Sequence, residues 1–334
     1  MAGVDRRTLE AIHRTALGLV SQFTGRRPAE FGTYASIVRI GDVRLAVHAD
    51  GVGTKALLAS LPEDYRCIGI DAVAMNVNDL VSAGARPIAF LDYIAMARGD
   101  PDVVKWVLEG ICTACRESGV VFAGGETAVL PGVFSSERTF DVVGFALGLV
   151  EEPVLRNAVR EGDVLVGLES SGLHANGFSL VRKVLLGEGK YGLDDLVPSL
   201  GRRLREELLR PTRLYVRPVL ELLRRGPRPT GIAHVTGGGF LKLRRLVGRR
   251  RLRVNLDSLP EPPRIFKLIQ EEGGIDWSEM CRTFNMGIGM AISFRESDVD
   301  EAVRKLRRLG YSSPVIGRIE RGEGVVVNGV RIDG

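Results

Sequence analysis

Twice in its second half the chain lays down one plan: an apolar strand run, a loop of polar residues or glycines, then a helical run. The first is DVLVGLES, SGLHANG and FSLVRKVLL; the second is GIAHV, TGGG and FLKLRRLV. A strand that feeds a helix through a tight loop needs a sheet to bury it, and the helix-start N–H groups left facing the loop favour an anion there. The first half alternates in the same way. SIVRIGDVRLAVHAD reads as a hairpin ending at Asp50, DAVAMNVNDLVSAGA as a helix and IAFLDYIAM as a strand. PDVVKWVLEGICTACRESG reads as a helix with Pro101 at its start and Gly119 at its end, and VVFAGG and FDVVGFALGLVEE read as strands. A chain of 334 residues exceeds a single-core domain. A strand ends near residue 150 and VLRNAVREGD leads into a new element, so two domains are expected, 1–155 and 156–334.

The net charge of +5 is spread through interleaved acids and bases, which argues against a nucleic-acid face. The densest basic run, LKLRRLVGRRRLRV, reads as a solvated helix end and strand. The N-terminus is charged and lacks the apolar core of a signal peptide, and no apolar run approaches the ~18 residues of a spanning helix. A soluble, cytoplasmic protein without membrane contact is expected. Cys112 and Cys115 lack the second pair that a zinc site requires and read as ordinary buried thiols. The segment 188–213 reads as a charged surface excursion.

The chemistry-bearing residues gather at glycine-rich element ends. In VHADGVGTKALLA an acid, glycines, a hydroxyl and a lysine occupy six positions, yet no G-x-x-x-x-G-K-[ST] loop occurs in the chain, and a plain turn explains the stretch equally well. Asp50, Asp71, Asn76, Asp79 and Glu126 offer the oxygen ligands that magnesium and phosphates use, Asn76 and Asp79 sharing a helix face. Asp71 also suits a helix N-cap, which needs no ligand. Glu126, in AGGETAV, sits in an apolar setting where an unpaired carboxylate would be costly. Ser171, Gly172, His174 and Asn176 bring hydroxyl, imidazole and amide ahead of a helix, as Thr236, Gly237 and Gly238 bring a hydroxyl and bare backbone; both loops suit a phosphate or a developing oxyanion. RTFNMGIGM reads as a buried strand. No hydrolase triad, zinc-peptidase or dinucleotide motif is present.

HADGVGTK, GIDAVAMNVNDLVSAGARP, GGETAVLPG, FDVVGFALGLVE, SSGLHANGFSLVRK, AHVTGGGF and RTFNMGIGM follow one another in the order and spacing of the aminoimidazole ribonucleotide synthetases, and the chain resembles that family from AGVD to IGRI. The resemblance implies an α+β fold of two domains: an N-terminal mixed-sheet domain that binds ATP and dimerises, and a C-terminal sandwich-like substrate domain. It implies an ATP-dependent cyclo-ligase of purine biosynthesis that phosphorylates the formyl amide oxygen of formylglycinamidine ribonucleotide and then closes the imidazole. ATP and magnesium are implied, with potassium left open, and so is a homodimer. Asp50, Asp79 and Glu126 would hold magnesium, with Lys55 near the phosphates. Gly51, Thr54, Asp71, Asn76, Gly125, Thr127 and Asp141 would serve the nucleotide. Ser171, Gly172, His174, Asn176, Thr236, Gly237 and Gly238 would serve the substrate, and His174, Lys55 and Asp50 the chemistry. The alternative is another ATP-dependent enzyme of the same superfamily, a small-molecule kinase or an amidotransferase-like synthetase. Residues 24–37 lack the glycine richness of bacterial relatives.

Overall fold

The computed structural model describes residues 6–23, 34–150, 158–248 and 250–333. Of the segment 24–37, only 34–37 fall within these. After helix α1 (Arg6–Phe23), β1 (Ser36–Ile40) and β2 (Val43–Gly51) form the expected hairpin. A 3-10 turn over Gly53–Leu58 leads into α2 (Pro62–Ser82), followed by β3 (Ala85–Met96), α3 (Pro101–Ser118), β4 (Val121–Val129) and β5 (Phe140–Val150). The five strands lie in the order β1-β2-β5-β3-β4, antiparallel except for the parallel β3–β4 pair. α2 packs on one face of this sheet and α3 packs on α2. Their close crossing depends on Gly69 and Gly110, where a methyl group would overlap Val107 O and Arg66 O. α3 is capped by the Asp100 carboxylate at its start and by left-handed Gly119 at its end.

The second sheet uses β6 (Val164–Glu169), β9 (Gly231–His234), β10 (Leu252–Leu256), β11 (Ile288–Phe294), β12 (Val315–Arg321), β13 (Gly324–Val327) and β14 (Val330–Arg331), in the order β14-β13-β10-β12-β6-β11-β9. A separate ribbon pairs β7 (Leu196–Val197) with β8 (Arg202–Arg203). The helices of this half are α4 (Phe178–Val181), α5 (Leu204–Leu208), α6 (Val216–Arg225), α7 (Arg244–Val247), α8 (Arg264–Gly273), α9 (Trp277–Thr283) and α10 (Val299–Arg308). β11 is buried along its whole length but begins at Ile288, so RTFNMGIGM, read as a buried strand, is strand only in its last three residues, while Arg282 and Thr283 end α9 and 284–287 form the connection. No helix among the described residues is long and apolar enough to cross a membrane.

Four local expectations change. α2 starts at Pro62, so Asp71 is in mid-helix; the cap is instead supplied by Asp64, whose carboxylate accepts from Ser60 and Leu61 N–H. The segment 188–213 is more than a surface excursion, because Val197, Leu200, Leu204 and Leu208 are in the core. Cys112 is exposed, while Cys67, Cys115 and Cys281 are buried. Glu126 is also exposed, so the strand around it does not enclose its carboxylate.

Candidate active site between the two sheets

α2 forms one wall of the seam between the two sheets, and its side chains reach into the second half of the chain. At one end the seam is closed. Lys55 and Asp71 form an ion pair at 2.7 Å with both side chains fully buried. Lys55 Nζ also donates to Arg210 O at 2.6 Å, and Asp71 Oδ1 accepts from Thr212 N–H at 2.6 Å. Two turns along, Asn78 Nδ2 donates to Arg213 O and Asn78 Oδ1 accepts from Tyr215 N–H. The stretch 210–215 is therefore fastened to the first domain mainly through its own backbone. Burial alone would lower the Lys55 pKa, but Asp71 more than offsets this and keeps the ammonium charged. Lys55 thus stands inside a closed pair, not at an open phosphate position, and Asp71 stands with it.

Beyond this clamp lies a polar centre. Asp79 Oδ1 accepts from His234 Nδ1 at 2.6 Å, and its Oδ2 lies 3.1 Å from His48 Nε2, so one carboxylate joins β2, α2 and β9. The other His48 nitrogen faces Asn76 Oδ1 at 2.9 Å, while Asn76 Nδ2 donates to Asp50 O and Ala72 O. With Asn76 oriented by two carbonyls, both His48 nitrogens face acceptors, an arrangement that favours the protonated ring. Burial opposes that charge, but Asp79 outweighs it and raises the His48 pKa. Burial would likewise raise Asp79, yet its bonds to His234 and His48 hold it well below the usual carboxylate range.

The two loops of the second domain meet at this centre. Thr54 Oγ1 lies 3.3 Å from Ser179 Oγ, and Asn176 Nδ2 approaches Met75 Sδ at 3.9 Å. Asn176 Oδ1 lies 3.0 Å from where a Cβ on Gly237 would stand. Asp50, Gly51, Thr54, Asn76, Asp79, Asn176, Thr236, Gly237 and Gly238 therefore belong to one region. Ser171 and Gly172 lie deeper, against the clamp: Ser171 Oγ donates to Pro211 O, and Arg210 Nη1 to Ser171 O. His174 is 1% exposed and adopts a left-handed φ of 61°. Its Nε2 accepts from Ser171 N–H at 3.2 Å, which leaves Nδ1 as a buried donor without a partner among the described residues. Burial drives its pKa far below the ordinary histidine value, so the ring is neutral and shapes the loop from beneath.

Gly125, Glu126, Thr127 and Asp141 do not join this region within one chain. Asp50 is in register with Gly144 and, across it, Asp92 and Gly125, while Glu126 pairs with Tyr93. Alternation along the strands puts Glu126 and Asp141 on the sheet face opposite α2. Three strand intervals, roughly 14 Å, also separate the Asp50 strand from the Glu126 strand. The expected magnesium trio is thus divided. Asp79 has both oxygens engaged by histidines, Asp50 lies at the seam and Glu126 is on the other face. Among the described residues no three potential ligands cluster for a metal. The carboxylates that fit a hard cation are Asp50, Glu126 and Asp141. Each accepts the next residue's N–H with one oxygen, and its other oxygen has no hydrogen-bond partner among the described residues.

Several residues at the seam carried no separate expectation. His48 was legible, because period-two alternation puts it on the Asp50 face. His234, Asn78 and Lys242 lie in or beside recognised motifs without a distinguishing pattern. Asp92, buried with Oδ1 unpartnered, stands out only once β3 is seen to turn it inward, against Gly125.

Two family models match the chain: AIR synthase related protein, N-terminal domain, over residues 32–150, and the C-terminal domain over 160–329. A phosphoribosylformylglycinamidine cyclo-ligase of Bacillus pumilus is 45% identical over 84% of this chain and 81% of its own length. That of Bacillus cytotoxicus is 46% identical with the same coverage. Among solved structures, AaThiL complexed with AMPPCP and TMP aligns with a TM-score of 0.68 at 19% identity, covering 96% of this chain and 94% of that one. The E. coli hydrogenase maturation protein HypE aligns at 0.63 with 20% identity, covering 86% and 84%. The structural likenesses establish the shared fold.

Proposed function

The chain belongs to the phosphoribosylformylglycinamidine cyclo-ligase family, and from that premise we propose how its seam carries out this ligase reaction of purine biosynthesis. The observation that carries the reading is the convergence of Asp50, Asn76, Asn176 and the Thr236–Gly238 turn around the carboxylate of Asp79. ATP supplies the phosphoryl group, with magnesium offsetting the charge of its phosphates. Asp50, with one free carboxylate oxygen, is the residue of this seam that would hold the magnesium. The chain's task is largely to position and to neutralise. His48 and Asp79 fix Asn76 and the Asp50 backbone. His174 holds the Ser171–Asn176 loop in shape, and Thr236–Gly238 offers bare backbone to a substrate phosphate. The formyl amide oxygen, a poor leaving group, accepts the phosphoryl group; the ribonucleotide's own amine then attacks that carbon and phosphate leaves. Incubation of the purified protein with ATP, magnesium and formylglycinamidine ribonucleotide should give aminoimidazole ribonucleotide, ADP and phosphate. Absence of product with turnover of a different phosphoryl acceptor would favour the kinase reading.

The homodimer is part of the proposal. The sheet face opposite α2 leaves Val38, Ile40, Val43, Leu91, Tyr93 and Phe145 each more than a third exposed, a patch that invites a second copy. Glu126 and Asp141 are on that same face, so a partner chain could bring them to a site that Asp50 begins. Chains carrying Asp50→Asn and Glu126→Gln, each strongly impaired alone, should then regain about a quarter of wild-type activity when subunits are mixed, since half of the dimers hold one intact site. No recovery from mixed dimers would keep the site within one chain.

A further inference from the structure

Most cations along the seam are paired. Lys55 is held by Asp71, Arg210 faces Glu207, Arg213 faces Glu169, and Arg205 is held by Asp64 and Asp194. Lys242 is different. It lies in the 3-10 turn Gly239–Leu243 that follows the glycine loop and is partly buried, and no carboxylate among the described residues comes within ion-pair distance of it. Its aliphatic stem folds back over the loop: Cε lies 3.8 Å from where a Cβ on Gly238 would stand, and nothing else comes within 4 Å of that point. Gly238 has φ 95°, in the left-handed region that favours glycine, so no side chain covers this part of the turn, and its carbonyl accepts from Leu241 N–H. The turn that carries Lys242 is anchored, since Tyr34 Oη donates to Lys242 O and the Arg245 guanidinium stacks on the Tyr34 ring. Across the seam, Asp50 and Asp79 attract the ammonium, while burial and Arg245 lower its pKa. A cation held over bare glycine backbone, without a carboxylate partner of its own, is an arrangement for a phosphate.

We propose that Lys242 clamps the phosphate monoester of the ribonucleotide substrate against the Thr236–Gly238 turn. This rests on the cyclo-ligase reading and adds to it a residue that selects the phosphorylated substrate over its riboside. Lysine suits the task as a point charge on a flexible stem that can leave the pull of Asp50 and Asp79 when phosphate arrives.

The test compares binding of formylglycinamidine ribonucleotide with that of its dephosphorylated riboside, by calorimetry on the full chain. Wild type should prefer the ribonucleotide. In Lys242→Met the ratio should fall by about tenfold to a hundredfold, the range expected for one lost charge-assisted hydrogen bond. Lys242→Arg should restore most of it, and Lys267→Met, which removes an exposed lysine elsewhere, should leave it unchanged. In turnover, Lys242→Met should raise KM for the ribonucleotide far more than it lowers kcat. An unchanged ratio in a folded Lys242→Met protein overturns the proposal, and so does a loss confined to the affinity for MgATP. Failure of the cyclo-ligase reading itself would show as wild type binding neither ribonucleotide nor riboside. The probe is then inorganic phosphate, and equal affinity in wild type and Lys242→Met rejects the clamp.

Discussion

Asp71 and Asp50 stand at opposite ends of one seam and are treated in opposite ways. Asp71 is fully buried, holds Lys55 at 2.7 Å and accepts from Thr212 N–H and the Cys67 thiol. Asp50 is exposed, among the described residues receives only the N–H of Gly51, and lies within the charge influence of Lys242 from the turn after the second domain's glycine loop. The closed end fastens 210–215 to α2 and fixes how the two sheets face each other. At the open end the second Asp50 oxygen has no hydrogen-bond partner among the described residues. Two acids in neighbouring motifs thus divide the labour: one sets geometry and the other, in the proposed function, meets substrate.

That division can be broken most severely at Lys55. Lys55→Met leaves Asp71 charged and buried without its partner, which should cost about 3–5 kcal/mol in urea unfolding. Replacing both, as Lys55→Met with Asp71→Leu, should cost clearly less, because no charge is then stranded. If the single variant unfolds like wild type, the pair does not set the seam. At the open end the expectation reverses. Asp50→Asn should leave the unfolding transition in place while lowering turnover on the order of 10²-fold, the loss typical of one preorganised electrostatic group. Equal damage to stability and turnover would erase the contrast.

Asp92 is a third case, a buried acid without a basic partner among the described residues. Burial pushes its pKa up to about 6, and its Oδ1 has no hydrogen-bond partner. Between the ordinary value of 3.8 and about 6, the folded state keeps a proton that the unfolded chain has released. Stability must therefore fall as pH rises through that window. Asp92→Asn escapes the penalty and should be more stable than wild type at pH 7 by about 1–3 kcal/mol, with the gap closing near pH 4. A gap independent of pH would show that Asp92 is not the group responsible.

The strands, the two long helices and both loop-to-helix units were legible because each rests on local rules: period-two alternation, Pro101 and Gly119 at helix ends, glycines between runs. Asp71 was misplaced because the helix gains an extra stretch, PEDYRCIGI, in which Gly69 crosses α3 closely at Val107 and Tyr65 packs on Phe140. The motifs named the site residues but not their faces. Glu126 and Asp50 look equivalent in sequence, and only strand register reveals that one sheet separates them. The grip on 210–215 left no trace in the sequence because it is made chiefly to carbonyl and N–H groups, which every residue possesses. Lys242 was hidden in a run of basic residues, most of which are solvated or paired.

Whether the open end of the seam activates an amide oxygen by phosphorylation can be read from the fate of that oxygen. Formylglycinamidine ribonucleotide labelled with ¹⁸O in the formyl amide is turned over with unlabelled ATP, and the released phosphate is analysed by mass spectrometry. One labelled oxygen is expected in each phosphate formed, with wild type and with the slow residual turnover of Asp50→Asn alike. Unlabelled phosphate, with the label lost to water, would contradict it.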